Sequence, residues 1–143
     1  MRIIAGHDDE IAAWAGAQLG VVFQQPFTAF GFLDQAGSVK AAAIFNDYYR
    51  GGNVGLTYVG PHSFQKHQLA FLCSFAFDSL KASRVTARTR RSNVQMRKLM
   101  PKSGFAFEYT QRRFYGPEKA DDALVYVLTR DAAEKWLRFK DKS

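Results

Sequence analysis

The spacing of apolar residues changes several times along the chain, and each change predicts an element. Over residues 8–20 apolar side chains recur every three or four positions, which predicts a helix. Asp8 or Asp9 is expected to cap its start, because a short acidic side chain accepts from the first free N–H groups of a helix. Gly20 is expected to end it, since glycine readily adopts the left-handed conformation.

The rest of the chain alternates strand and helix patterns. A long, mostly apolar helix is predicted over 63–81, a short one begins at Ser92 or Asn93, and the last follows Asp131, its expected cap. The order is β-α-β-β-β-α-β-α-β-β-α, which predicts one α+β domain over 1–143, a mixed sheet with helices on its faces. Runs typical of strands cover 2–6, 27–35, 38–49, 53–60, 83–90, 105–115 and 123–130.

Charge is unevenly distributed. Residues 1–80 carry four basic and six acidic side chains, whereas residues 81–143 carry sixteen and seven, a net of +9. A basic half favours an anionic partner, whether a polyphosphate cofactor, nucleic acid or an acidic protein, over solubility alone. The densest basic cluster consists of Arg84, Arg88, Arg90, Arg91, Arg97, Lys98 and Lys102.

The composition of the chain argues against several classes of protein. Hydrophobic residues make up 47% of the chain, which argues against disorder. No apolar run approaches the roughly 20 residues of a membrane span, and the acidic stretch after the first residues is unlike a signal peptide, so we expect a cytoplasmic protein. Cys73 is the single cysteine and lies in "FLCSFAF", which predicts a buried, inert thiol. No metal site is predicted.

Three stretches carry a resemblance to a known family. "RSNVQMRKLMPKSGF" resembles the segment of the GNAT acyltransferases in which Asn opens the fourth helix and Gly-Phe opens the next strand. "GFAFEYTQRRFY" with "DDALVYVLTR" is similar to the last two strands of their amino-group acetyltransferase branches. "AAAIFNDYY" and "NVGLTYVG" resemble small GNAT-like proteins of phage and prophage genomes. The resemblance covers nearly the whole chain and implies a mostly antiparallel central sheet with helices on both faces.

The resemblance implies acetyl-CoA as co-substrate. In GNAT folds the strands before and after the long helix separate into a V-shaped cleft for the cofactor's arm; here these would be 56–60 and 84–90. The diphosphate sits at the start of the long helix. Two roles for Asn93 are equally consistent with the sequence: a plain helix cap, or a contact to the cofactor's arm. The implied cofactor-binding residues are Tyr58, Val59, Gly60, Phe64, Gln65, Lys66, His67 and Asn93.

Two departures from the family pattern concern chemistry. The family's phosphate loop usually reads Gln/Arg-x-x-Gly-x-Gly/Ala, but "GPHSFQKHQLA" retains only Gly60, ahead of the loop. Many relatives carry Tyr four residues before the Gly-Phe pair, where it protonates the departing thiolate. Here that position is Met100, and the nearby slot that holds Ser or Ala in other branches is Met96. Neither can donate a proton, so this helix offers no obvious general acid.

Three candidates for catalysis lie elsewhere. Tyr58 is either a proton donor in the cleft or, as the alternation of its strand favours, a core aromatic. Asn46, with the three residues after it, could grip an acceptor or form a polar hairpin end. Glu108 could act as a base through water, or it could be a solvated residue paired with Arg112 or Arg113.

The sequence therefore favours an N-acetyltransferase in which a small-molecule or protein amine attacks acetyl-CoA directly in a ternary complex. The alternatives are a GNAT-fold binding protein of phage origin that has lost catalysis, and acyl transfer onto nucleic acid, which would use the basic half. A homodimer is also expected, because Phe64, Phe71 and Phe75 give the long helix a second apolar face.

Overall fold

A computed structural model describes residues 2–61 and 65–142. The chain divides into two compact units, residues 2–48 with 55–61 and residues 49–54 with 65–142. The element order agrees with the sequence prediction throughout. A mixed α/β fold built from mostly antiparallel strands is confirmed. Among the described residues, no helix is both long and apolar enough to cross a membrane.

The first unit is an antiparallel meander with one helix. Its strands lie in the order β1-β2-β3-β4, and Ala42 pairs with Gly31 of β2 and Val59 of β4. The first two residues of β4 belong to the second unit. The elements are β1 (Arg2–Ile4), α1 (Asp8–Leu19), β2 (Thr28–Leu33), β3 (Val39–Asn46) and β4 (Asn53–Val59).

Helix α1 covers one face of this meander. Ile11 and Ala15 are buried in a cluster with Ala29, Ala42 and Ile44. A Cβ at Gly31 would lie 2.6 Å from the Ile11 side chain, so the glycine in β2 lets the helix approach the strand. Burying these apolar side chains is the main source of stability for this unit.

The two ends of α1 differ in how well the sequence predicted them. Gly20 ends the helix in the left-handed conformation at φ +72°, as expected. The expected caps Asp8 and Asp9 are wrong, because the cap position is His7. The Asp8 carboxylate instead accepts from the backbone N–H of Ala29 at 3.0 Å, so it ties the helix to β2.

The second unit has three strands, three helices and two short helical turns. Its strands lie in the order β5-β7-β6, all antiparallel. The elements are α2 (Lys66–Cys73), a π-helical turn (Ser74–Ser79), β5 (Arg84–Arg90), α3 (Val94–Lys102), β6 (Ala106–Gln111), a 3₁₀ turn (Lys119–Asp121), β7 (Ala123–Thr129) and α4 (Arg130–Lys142).

Strand β5 alternates buried and more exposed positions, as predicted. Val85, Ala87 and Thr89 are buried. The arginines between and beside them lie on the opposite face. Helices α2 and α4 pack together, and Cys73 is buried. Burial raises the pKa of the Cys73 thiol to about 12, so it stays protonated and inert, as the sequence predicted.

The last helix starts two residues earlier than expected, at Arg130 rather than after Asp131. Thr129 ends β7, and its hydroxyl oxygen accepts from the Ala132 N–H at 3.3 Å. Thr129 therefore takes the capping role, and Asp131 lies within the first turn, where its charge favours the helix dipole. The Trp136 indole donates to the carbonyl oxygen of Ser103 at 3.0 Å and so joins α4 to the end of α3.

Candidate functional site

The residues named from the sequence fall in both units. Asn46, Tyr58, Val59 and Gly60 belong to the first unit. Phe64 lies outside the described residues. The remaining candidates, Gln65, Lys66, His67, Asn93 and Glu108, belong to the second unit. Within the described ranges no group of three or more His, Cys, Asp or Glu side chains is arranged to hold a metal ion.

Tyr58 and Gly60 lie together at the end of β4. The Tyr58 hydroxyl donates to the carbonyl oxygen of Pro61 at 2.9 Å. Gly60 has φ +153°, and a Cβ there would lie 2.5 Å from the Ala41 side chain and 2.9 Å from the Tyr58 hydroxyl oxygen. Only glycine fits this position without displacing its neighbours. Burial raises the pKa of Tyr58 to about 12, so the phenol stays protonated at neutral pH.

Asn46 and Tyr58 lie on opposite faces of the meander. Tyr58 pairs with Ala43, whereas Asn46 pairs with Gly55. Side chains alternate along a strand, and cross-strand partners share a face, so the three-residue offset between Ala43 and Asn46 reverses the face. The first unit therefore does not bring these two catalytic candidates to one point.

The start of α2 contains a polar residue that the sequence reading missed. Gln68 is only 1% exposed, and its Oε1 accepts from the Gln65 backbone N–H at 3.0 Å. Its buried Nε2 donates to no acceptor among the described residues. A buried N–H donor without an acceptor lowers the stability of the fold by about 1–3 kcal/mol. A hydrogen bond from Gln68 Nε2 to an acceptor atom of a ligand would therefore be favourable. The spacing Gln65-x-x-Gln68 is that of a capping box, and this pattern could have identified Gln68 from the sequence.

Lys66 and His67 form the first turn of α2. Both side chains are exposed, and the positive end of the helix dipole lies at this turn. One cation and one imidazole ring at a helix start form a set of donors that suits phosphate oxygens. The residues present therefore fit the diphosphate of CoA, although the loop lacks the family's glycines.

Asn93 is the cap of α3. Its Oδ1 accepts from the Met96 backbone N–H at 3.1 Å, which confirms Asn93 rather than Ser92 as the residue that opens the helix. The side-chain amide nitrogen is not used in this contact. Met96 and Met100 are buried in the core, so they act as packing residues. At its other end α3 runs through Pro101 to Lys102.

Glu108 is paired, but with a different arginine from those expected. Its carboxylate accepts from Arg84 Nη2 at 2.6 Å, and neither Arg112 nor Arg113 pairs with it. The physical reason is the irregularity between Phe107 and Tyr109, which places Glu108 outside the regular register with β7. The hydrogen bond from Arg84 holds the pKa of Glu108 below its usual range, so the carboxylate is a weak base.

Several members of the basic cluster also have partners within the chain. Arg90 pairs with Asp121 at 2.7 Å and Arg91 with the buried Asp122 at 3.3 Å. Arg97 donates to a backbone carbonyl oxygen. These arginines therefore contribute to the structure of the second unit, in addition to any ligand that they hold.

Comparison with known proteins gives evidence at the level of structure. No protein-family model matches the sequence, and no curated protein matches it. Mutant forms of the spermidine/spermine N-acetyltransferase SpeG from Vibrio cholerae are similar in structure, with a TM-score of 0.71 and 8% identity over 94% of this chain and 97% of that one.

Two further solved structures are similar. The ribosomal-protein-S5-alanine acetyltransferase from Vibrio fischeri has a TM-score of 0.61 and 12% identity, covering 83% of this chain and 67% of its own. An acetyltransferase of the GNAT family from Bacillus anthracis has a TM-score of 0.59 and 14% identity, covering 72% and 66%. At such identities the likeness establishes the fold: the chain adopts the GNAT acyltransferase fold.

Proposed function

We propose that the chain is an acetyl-CoA-dependent N-acetyltransferase that transfers the acetyl group to an amine by direct attack. The observation that carries the proposal is the structural likeness to a spermidine/spermine N-acetyltransferase over nearly the full length of both chains. A fold hosts more than one function, so the donor set at the start of α2 is the second support. Acetyl-CoA, when bound, supplies an activated thioester.

The proposed cofactor residues lie at three places in the chain. Lys66, His67 and the Gln68 amide hold the phosphates at the start of α2. Asn93 donates its side-chain amide to the cofactor's arm. The end of β4 forms the third place, where the Val59 backbone N–H polarises the thioester carbonyl. Tyr58, Gly60, Phe64 and Gln65 complete the proposed set.

Tyr58 is the proposed proton donor to the departing thiolate. The support is geometric: the hydroxyl carries its proton at neutral pH, and it donates to the Pro61 carbonyl oxygen at the end of β4. Glu108 remains a proposed base through water, but its bond to Arg84 makes it the weaker assignment. Asn46 is proposed to contact the acceptor, on the opposite face of the meander from the Tyr58 side chain.

The acceptor is proposed to be a primary amine of a small molecule or a protein. The similar structures act on a polyamine in one case and on a ribosomal protein in another, according to their names.

We further propose a cytoplasmic location and a homodimer that uses the Phe71 and Phe75 face. Analytical ultracentrifugation that finds only monomer at high concentration would contradict the dimer.

Calorimetry with acetyl-CoA tests the enzyme proposal. We expect saturable binding, and we expect 3′-phospho-ADP, the nucleotide half of CoA, to compete for it. Release of free thiol in the presence of spermidine or an amino-terminal peptide then measures transfer. No heat of binding at millimolar acetyl-CoA would overturn the proposal, whereas binding without transfer to any amine would leave only a CoA-binding protein.

A second candidate is a GNAT-fold binding protein, of phage origin, that has lost catalysis. The observation that favours it is Met100, which is buried at the position where relatives carry a tyrosine acid. The missing loop glycines point the same way. Binding of nucleic acid or of a host protein, together with no CoA binding in the experiment above, would favour this candidate over the enzyme.

A further inference from the structure

One face of the β5-β7-β6 sheet carries arginine and aromatic side chains together. Arg88 and Arg90 project from β5 on this face, and Tyr109 projects from β6. The chain after β6 brings Phe114 and Tyr115 beneath the two arginines. We call these five residues the arginine face.

Cation–π contacts order the arginine face. The Arg88 guanidinium lies 5.3 Å from the Phe114 ring centroid, and the Arg90 guanidinium lies 4.6 Å from that of Tyr115. The Phe114 and Tyr115 rings meet edge to face at 4.9 Å. Planar groups held in fixed layers lose little side-chain entropy on binding a further planar group, so the face is preorganised for stacking.

Large aromatic rings on this face remain open to solvent. Tyr109 is 44% exposed, Phe114 49% and Tyr115 38%. Covering apolar rings that are this exposed is favourable, because it removes apolar surface from water. Three exposed rings, two of which lie against guanidinium groups, are a larger aromatic surface than phosphate binding alone requires, and they suit bases that stack.

The face also has uncompensated positive charge. Residues 84–122 carry ten basic and four acidic side chains, a net of +6. Arg88 donates to the neutral side chain of Gln111 at 2.7 Å. Among the side chains that the structure describes, in residues 2–61 and 65–139, no carboxylate lies within ion-pair distance of Arg88, Arg112 or Arg113. Arg90, by contrast, is neutralised by Asp121.

We propose that the arginine face binds single-stranded nucleic acid, with bases stacked on Tyr109, Phe114 and Tyr115. Arg88, together with Arg112 and Arg113 in the segment just before Phe114, would contact the phosphates. The two requirements of such a site are a basic surface and exposed aromatic platforms, and both are present here. Duplex nucleic acid fits less well because its base faces are already stacked. The proposal stands independently of acetyl transfer.

Fluorescence anisotropy with a labelled oligo(dT) of about 20 nucleotides tests the proposal, because thymine stacks without a need for base-specific hydrogen bonds. We expect saturable binding that weakens as salt rises. Phe114→Leu retains apolar volume but removes the aromatic platform, and it should weaken binding by about fivefold or more. Arg88→Gln should lower the slope of log affinity against log salt by about 0.7.

Arg138→Gln is the matched control, since it removes an exposed arginine of α4 and leaves the arginine face intact. It should bind oligo(dT) nearly as the parent does. Thermal unfolding of each variant establishes that it is folded, and Tyr109→Leu repeats the stacking test at a ring with no cation–π contact to an arginine.

Three results would overturn the proposal. One is no binding of oligo(dT) at low salt. Another is unchanged affinity in both folded aromatic variants, Phe114→Leu and Tyr109→Leu. The third is polyglutamate binding as tightly as oligo(dT) with the same loss in Phe114→Leu, which would assign the face to an acidic polypeptide. Weaker binding of a duplex of equal length, insensitive to Phe114→Leu, is the expected contrast.

Discussion

Asn93 is a residue at which helix capping and cofactor binding can be separated by substitution. Its Oδ1 satisfies the Met96 N–H, one of the donors at the start of α3 that has no partner within the helix. Asn93→Ala removes this bond and should lower the free energy of unfolding by about 1 kcal/mol. For a chain of this size that corresponds to roughly 3–4 °C in Tm.

Two further variants retain the capping oxygen. Serine and aspartate cap helices about as well as asparagine, so Asn93→Ser and Asn93→Asp should stay within about 0.5 kcal/mol of the parent. Neither retains the amide N–H₂ donor. If that donor contacts CoA, both Asn93→Ala and Asn93→Ser should lose about fivefold in affinity, the worth of one hydrogen bond. Asn93→Asp should lose more, because its carboxylate adds negative charge beside a polyanion.

Urea unfolding followed by circular dichroism measures the first effect, and calorimetry with CoA measures the second. The reasoning about the cap is wrong if Asn93→Ala unfolds at the same urea concentration as the parent. The reasoning about the cofactor is wrong if Asn93→Ser binds CoA with parental affinity. The two outcomes are independent, since Asn93→Ser changes only the second quantity.

The remaining predictions concern three positions. Gly104→Ala should cost about 1–2 kcal/mol or more on urea unfolding, because φ is +95° and the new Cβ would lie 3.3 Å from the Ala132 carbonyl oxygen; parental stability would contradict this. Arg84 depresses the pKa of Glu108, so the pair stabilises the fold above the unfolded pKa near 4.5, and this stability is lost as pH falls through the lower folded value. Tm against pH should therefore be flatter in Glu108→Gln at acidic pH, and an unchanged profile would refute the pairing. Tyr58→Phe should lower turnover and leave CoA affinity unchanged, as steady-state kinetics and calorimetry would measure, and parental turnover would remove Tyr58 as the proton donor.

The elements were predictable because they depend on local patterns. The alternation in β5 that separates Val85 and Ala87 from the arginines survives in the structure, since a one-residue slip would expose the whole apolar set. Gly20 was predictable because a helix often ends at a residue in the left-handed conformation, which glycine adopts readily. Asn93 was predictable because its side-chain oxygen accepts from a free N–H at the start of a helix. Asp8 was not, because the N–H that it accepts from belongs to Ala29, twenty-one residues away, and no local pattern encodes that contact.

The candidate site was less predictable than the fold. Glu108 was expected beside Arg112 or Arg113, its sequence neighbours, but the sheet order places Arg84 within reach across β7. Gln68 was not singled out from the sequence, because its burial appears only once the chain around α2 is packed. Side-chain partners that depend on strand order or helix packing are set by tertiary structure, which spacing alone does not reveal.

The π-helical turn at Ser74–Ser79 has a consequence for chain length. Its Leu80 N–H bonds to the Phe75 carbonyl oxygen, five residues back, so the turn holds one more residue than an α-helical turn would. Removing one residue here would give a continuous α-helix without moving the residues on either side of the turn from their places in the fold. We therefore expect a one-residue gap at this turn when the chain is aligned with structures in which the helix is regular, and we expect a single deletion to be tolerated better here than in β5 or β7.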